Sequence, residues 1–165
     1  PDNGKRYQVI EGEVYMVPVP TPNHQDILAR LFVLLRTFVD EHGLGKAYCA
    51  PCDVILSPED IVQPDIFFIS KEREHIITER NIQGAPDFVI EILSPFTAKL
   101  DKTLKATLYE RSGVKEYWLA DPNGKEIEVL LLRGKSYESQ GIYGIKQCLE
   151  SPLLRGLKVD LKKIF

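Results

Sequence analysis

The segment PDFVIEILSP, Pro86 to Pro95, is apolar on both alternating faces, as a strand covered on each side would be. Glu91 interrupts this pattern. A lone ionised carboxylate in such a place costs several kcal/mol or more unless a cation or strong hydrogen-bond donors meet it. The segment therefore predicts a buried central strand and a partner for Glu91.

The composition narrows the class of protein. A chain of 165 residues predicts one domain, residues 1–165, with a sizeable core. A net charge of -3 argues against a protein that coats nucleic acid non-specifically, although a local basic patch stays possible. No apolar run approaches the ~20 residues of a membrane span, which predicts no membrane partner. Three cysteines, an odd number, make a disulfide framework improbable and favour a reducing cytoplasm.

Hydrophobic periodicity and turn residues divide the rest of the chain into helices and strands. The predicted elements are a hairpin (7–17), a helix (22–42), two antiparallel strands (46–57 and 61–70), a short helix and loop (71–85), the opening strand (87–94), a second helix (97–112), two strands (115–124 and 126–134), a weaker strand region (137–148) and a short helix near residue 160. This order, helix, three strands, helix, strand, predicts an α/β (α+β) domain with a mixed central sheet, an N-terminal hairpin and extra C-terminal strands.

Carboxylates of neighbouring strands can meet in this sheet. With residues 58–60 as the loop and no bulge, Asp53 faces Asp65 across the first strand pair. An antiparallel opening strand would bring Glu91 close to Asp65, whereas a parallel one would bring Asp87 there. Neighbouring strands lie about 4.8 Å apart, close enough for carboxylates on both to share a Mg²⁺ ion. Asp65 with Glu91 is the favoured pair; in the alternative, Asp65 is a turn residue and Glu91 pairs with a buried arginine or lysine.

The second helix offers a cation for this strand. Asp101, Lys105 and Tyr109 follow one another at four-residue spacing, so they share a flank beside the leucine stripe of the helix. A lysine there can run its stem along the sheet and bring its ammonium to the carboxylates. The simpler alternative is an ordinary Asp101–Lys105 pair on the helix surface. The basic residues of the segment fit either a phosphate-binding track or a solvated face.

The motifs of these segments resemble a known family. QPDI and then GAPDFVIEILSPFTAKLDKTLKATLYERSGVKEYWLADP contain E-x-x-S-P, D-x-x-x-K-x-x-x-Y and G-V-x-E-Y-W in order. This pattern is similar to the Uma-type family described as "putative restriction endonuclease", within the PD-(D/E)XK nuclease superfamily. The resemblance runs from about residue 24 to the C-terminus. It implies a restriction-endonuclease-like fold and metal-dependent cleavage of nucleic acid, with DNA as the expected substrate.

The resemblance also implies roles for single residues. Asp65 matches the aspartate of the motif and Glu91 its acidic second position. The motif's lysine is expected at position 93, where this chain has leucine, and Lys105 on the following helix is the best substitute. Asp65, Glu91 and Lys105 are thus the candidate catalytic residues, and Mg²⁺, or Mn²⁺ in its place, is expected on Asp65, Glu91 and Asp53. His24 and Tyr109 also fall at family-typical positions, and a homodimer would allow both strands of a duplex to be cut.

Two other functions compete with the nuclease. The Cys49–Cys52 pair has C-x-x-C spacing, but a strand would point the two thiols to opposite faces, which disfavours a redox or zinc site. The stronger rival is a non-catalytic module that binds nucleic acid or protein and keeps the fold, which Leu93 favours. Asp65 and Glu91, both present, favour the enzyme.

Overall fold

The computed structural model describes residues 6–165, so the first five residues of the predicted domain lie outside the described part. Its strands are β1 Arg6–Ile10, β2 Glu13–Val17, β3 Gly45–Cys49, β4 Val54–Ser57, β5 Asp60–Val62, β6 Ile66–Ser70, β7 Ile82–Gln83, β8 Phe88–Ile92, β9 Glu116–Asp121, β10 Glu126–Arg133, β11 Ser136–Gly144, β12 Cys148–Glu150 and β13 Lys158–Asp160. Its helices are α1 Pro22–His42, α2 Ala98–Leu100 and α3 Ala106–Ser112; a π-helical turn, Asp101–Lys105, joins α2 to α3, and 3-10 turns span Lys71–Ile76 and Leu161–Lys163.

The opening segment forms β8, in the middle of a six-stranded sheet of order β11-β10-β9-β8-β6-β3. β8 runs antiparallel to β6 and parallel to β9, and the segment from α2 to α3 connects it to β9. All five residues of β8 are buried, as the apolar pattern predicts. The sheet is mixed, and the predicted antiparallel neighbour of the central strand is confirmed.

The two faces of the central sheet have different covers. Phe88, Ile90 and Ile92 pack with α1 and the C-terminal segment in one apolar core. Val89 and Leu93 belong to a second core, which includes residues of α3 and of the smaller sheet. Side chains alternate between faces along a strand. Glu91 therefore shares the face of Val89 and Leu93, beneath the second helical segment.

The predicted strands at 46–57 and 61–70 are each broken in two. β3 and β6 pair in the central sheet, whereas β4 and β5 pair in a second sheet of order β2-β1-β5-β4-β7. An irregularity between Ile55 and Ser57 shifts the register, which aligns Val54 with Val62. Continuing that register sets Asp53 beside Gln63, so the predicted Asp53–Asp65 pairing is wrong. The prediction pairs residues by counting outward from the loop at 58–60. Such a count is valid only if the two strands form one continuous and regular antiparallel pair.

Both ends of α1 and the N-terminal hairpin follow the predictions. Thr21 caps α1 by accepting a hydrogen bond from the His24 amide, and Gly43 ends it at φ 61°. The hairpin turns at Glu11 and Gly12, both at positive φ, which suits a tight two-residue turn. Strand β7 was not predicted, because two residues carry no readable periodicity. Within residues 6–165, none of the helices combines the length and apolar character that crossing a bilayer requires.

Candidate active site

Two side chains of the second helical segment meet the Glu91 carboxylate. Lys105 Nζ lies 2.9 Å from Glu91 Oε1, and the Tyr109 hydroxyl donates to the same oxygen at 2.8 Å. The side chains of Glu91 and Lys105 are 3% and 5% exposed. A buried ion pair of this kind is tolerated only when hydrogen bonds support the charges. The acidic interruption of β8 is therefore compensated by a buried lysine and a buried tyrosine.

The helix turns its polar flank inward. Asp101, Lys105 and Tyr109 are buried, whereas Leu100 and Leu104 are only partly buried. Lys105 Nζ also lies 3.2 Å from Asp101 Oδ1. The π-helical turn from Asp101 to Lys105 widens the helix where these two side chains face the sheet, and such turns are frequent at functional sites. The predicted flank is thus the buried face of the helix.

Asp65 approaches Glu91 from the neighbouring strand. Ile66 pairs with Ile90, so the next position in the antiparallel register pairs Asp65 with Glu91. The Ile92 amide donates to Asp65 Oδ2 at 2.8 Å, and the Asp65 amide lies 3.4 Å from Glu91 Oε2. His24, from the first turns of α1, places Nε2 3.3 Å from Asp65 Oδ2. Five residues singled out from the sequence therefore come together: His24, Asp65, Glu91, Lys105 and Tyr109.

Burial dominates the electrostatics of this group. It raises the pKa of Glu91 to about 8; the lysine beside it acts in the opposite direction, and the charges of Asp101 and Asp65 add to the rise. Burial also acts to lower the pKa of Lys105, but the charges of Glu91 and Asp101 outweigh it and the net shift is upward. Burial and the Glu91 charge raise the pKa of Tyr109. Lys105 is therefore a permanent cation and Tyr109 a permanent donor at neutral pH.

A cavity of about 630 Å³ opens beside these groups. Asp65, Glu91, Asp101 and Lys105 line its wall, together with residues of β1, α1 and the segments that follow β2 and β8. Three polar atoms of other lining residues are buried without a hydrogen-bond partner in the described part of the chain: Gln8 Oε1, Gln63 Oε1 and His24 Nδ1. Buried polar atoms of this kind normally have a partner, so these atoms indicate a place for a ligand or water.

Two acidic residues considered from the sequence lie elsewhere. The Asp53 side chain is exposed and accepts from Gln63 Nε2 at 2.8 Å; Asp53 does not line the cavity. Asp87 sits just before β8, at the end opposite Asp65, where the Ser70 amide and Lys115 meet its carboxylate. Gln8 and Gln63 are not among the residues that the sequence predicts for the site. The polar Gln8 between apolar neighbours of β1 was a usable signal; Gln63 offered none.

The carboxylate oxygens of the site suit a hard cation that keeps some water or phosphate ligands. Among residues 6–165, no three histidine, cysteine, aspartate or glutamate side chains are grouped so as to enclose a metal ion. Mg²⁺ does not need such a cage, since it commonly binds one or two carboxylates and completes its shell with water and phosphate oxygens. Asp65 and Glu91 supply two carboxylates at the cavity wall. The residues present therefore fit Mg²⁺ that keeps part of its water shell.

Comparison with known proteins identifies the family. Residues 1–162 match the family described as "Uma2: Putative restriction endonuclease". The chain belongs to the Uma2 family. This assignment confirms the resemblance read from the three motifs, and the family's description supports a nuclease-type function.

A solved structure confirms the fold of this Uma2 chain. It is a crystal structure described as a putative nuclease belonging to DUF820 from Anabaena variabilis, with a TM-score of 0.83 and 21% sequence identity. The match covers 100% of the Uma2 chain and 92% of the other chain. No curated protein matches the chain. The mixed α+β architecture predicted from the sequence is thus shared with that structure.

Proposed function

We propose that this Uma2 protein is a divalent-metal-dependent endonuclease that hydrolyses phosphodiester bonds of nucleic acid, with DNA as the favoured substrate. Asp65 and Glu91 hold the metal, and Lys105 is the catalytic cation. One observation carries the proposal: two carboxylates of adjacent strands and a buried lysine of the covering helix line one wall of the same cavity. A structural ion pair alone would not need the second carboxylate.

The charge balance supports a cation in this place. Asp65, Glu91 and Asp101 bring three carboxyl groups close to the ammonium of Lys105. Burial and the charges of Asp101 and Asp65 raise the pKa of Glu91 to about 8, so a cation bound there would stabilise the ionised form of Glu91 and offset the excess of acidic groups. When bound, Mg²⁺ would neutralise charge on the scissile phosphate and lower the pKa of a water molecule for attack. Mn²⁺ has similar ligand preferences and is the expected substitute.

The protein's own residues have separable roles. Lys105 stays protonated, so it acts as a charge that orients the attacking water or stabilises the developing negative charge, not as a base. Tyr109 donates to the same Glu91 oxygen as Lys105, which fixes the carboxylate and leaves Glu91 Oε2 towards Asp65. His24 contacts Asp65 and positions it from the side of α1.

The test combines cleavage with metal binding. Plasmid, single-stranded DNA and RNA are incubated with Mg²⁺ or Mn²⁺, and calorimetry measures the heat of metal binding. We expect cleavage by the parent protein, and loss of both cleavage and metal heat in Glu91→Gln. Glu138→Gln, an exposed position on β11, is the matched control and should behave as the parent. Unchanged cleavage in Glu91→Gln would defeat the assignment.

The same assays separate the enzyme from a non-catalytic module. A module predicts no cleavage of any substrate, no metal heat and no thermal stabilisation by Mg²⁺ or Mn²⁺. Lys105→Ala provides a second check, because it should abolish cleavage while Asp65 and Glu91 remain. The homodimer and the cytoplasmic location stay predictions from the sequence.

A further inference from the structure

The mouth of the cavity presents exposed apolar side chains. Phe96, in the segment after β8, is 86% exposed, and Val19, in the segment between β2 and α1, is 91% exposed; both line the cavity. Five prolines also line the cavity: Pro18, Pro20, Pro51, Pro95 and Pro122. An exposed phenylalanine beside a cavity indicates a contact surface, because a ligand that covers the ring removes apolar surface from water.

The interior of the same cavity holds unpaired acceptors. Gln8 is 3% exposed, and its Oε1 has no hydrogen-bond partner among the described residues. Gln63 Oε1 is likewise unpaired. The amide nitrogen of the same side chain donates to Asp53 Oδ1. Both residues line the cavity, and N–H or O–H donors of a ligand or of water would satisfy these oxygens. Nucleobases carry such N–H groups on the Watson–Crick edge, which is free only when the base is unpaired.

The charges around the cavity do not suit a duplex. Of the described residues that line it, only Arg6 and Lys105 carry a lysine or arginine charge, and Lys105 is already paired with carboxylates. Duplex binding relies on many lysine and arginine contacts to phosphates. Aromatic rings that stack on successive bases are instead typical of single-strand binding. The volume of about 630 Å³ falls within the range of small-ligand pockets.

We propose that this cavity binds an unpaired nucleotide of a single strand, with Phe96 stacking on its base and Gln8 accepting a hydrogen bond from the base edge. The inference rests on the proposed function, because it assigns the strand type that reaches Asp65 and Glu91. The substrate class is then single-stranded nucleic acid or an unpaired segment within a duplex.

The test measures binding without cleavage. Fluorescence anisotropy in calcium buffer, with gels to check that the strand stays intact, compares one oligonucleotide as a single strand, as a duplex and with abasic sites; a ribonucleotide version separates RNA from DNA. We expect the single strand to bind more tightly than the duplex, and Phe96→Ala to weaken it by roughly tenfold. Gln8→Leu should also weaken it. Ile142→Ala, an exposed apolar position outside the cavity, should not.

A second readout does not depend on affinity. The chain has one tryptophan, and Trp118 is buried at 1% exposure, so Phe96→Trp adds a separate exposed reporter. Its emission should be quenched by the base-containing strand and not by the abasic strand. Equal binding of duplex and single strand, or an Ala effect that persists on the abasic strand, would overturn the proposal.

The outcomes for binding and cleavage are independent. Base-dependent binding without cleavage by any metal would refute the nuclease and uphold the subsite. Cleavage with no response to either Phe96 variant would refute the subsite and uphold the nuclease.

Discussion

Replacing Lys105 with methionine tests the central interaction of the site most directly. The change keeps the length of the side chain but removes the charge that faces Glu91 at 2.9 Å and Asp101 at 3.2 Å. Both carboxylates would then stay buried without their cation. Breaking a buried pair from one side costs about 3–5 kcal/mol. We expect a loss of this size in the free energy of unfolding.

Glu91→Gln should lower the free energy of unfolding by less than Lys105→Met does. In Glu91→Gln the amide oxygen can still accept from Tyr109, and Lys105 keeps Asp101 as a partner. The double variant should cost less than the sum of the single variants, since the two residues interact directly. A double-variant cost below that sum shows that the two residues interact. A cost equal to the sum would show two independent core residues.

Urea unfolding followed by the fluorescence of Trp118, the one tryptophan, gives the measurement. With a slope of about 2 kcal/mol/M, the expected loss moves the unfolding midpoint by about 2 M. Lys46→Met, an exposed lysine on β3, is the control and should stay within about 0.5 kcal/mol. A Lys105→Met midpoint as close to the parent as that of the control would refute the reasoning.

Two further substitutions, one at the site and one at the opposite end of β8, are tested by the same unfolding assay. Tyr109→Phe removes one donor from a buried carboxylate and should cost about 1.5–3 kcal/mol; a larger loss than in Lys105→Met would contradict the assigned roles. Burial acts to raise the pKa of Asp87, but Lys115, the Ser70 amide and Arg73 lower it overall, below its ordinary 3.8. The ionised form therefore stabilises the fold above about pH 4, and this contribution is lost as pH falls through the lower folded-state pKa. Asp87→Asn should be less stable than the parent by about 1–3 kcal/mol at pH 7. That gap should shrink at pH 3, and a gap that stays the same would show that the charge is not responsible.

The part of the site that could be predicted from the sequence depends on strand geometry. Alternation along β8 sets Glu91 on one face, and an antiparallel β6 then brings Asp65 beside it. Four-residue spacing on the helix groups Lys105 with Asp101 and Tyr109. These relations follow from short-range periodicity, which the sequence carries directly.

The remaining parts depend on breaks in that periodicity. Asp53 was expected at the site because one continuous ladder was assumed, whereas the strands are divided between two sheets and β4 is irregular near Ile55. The Gln63 acceptor becomes apparent only through packing beside the site, whereas Gln8 stands out in the sequence as a polar residue between apolar neighbours of β1. Residues that meet because two separate sheets pack together leave no spacing signal in the chain.

The position of the lysine follows from what covers β8. Leu93 shares the face of Glu91 and is 6% exposed in the core beneath the second helical segment, so a lysine there would bury its stem and charge among apolar groups. Lys105 reaches Glu91 from the covering layer instead, and the π-helical turn aligns it with Asp101. In the proposed nuclease, Lys105 would supply from the covering layer the cation that the motif places at position 93. Leucine at position 93 therefore does not by itself favour the non-catalytic module, because a lysine lies within hydrogen-bond distance of Glu91 from another element.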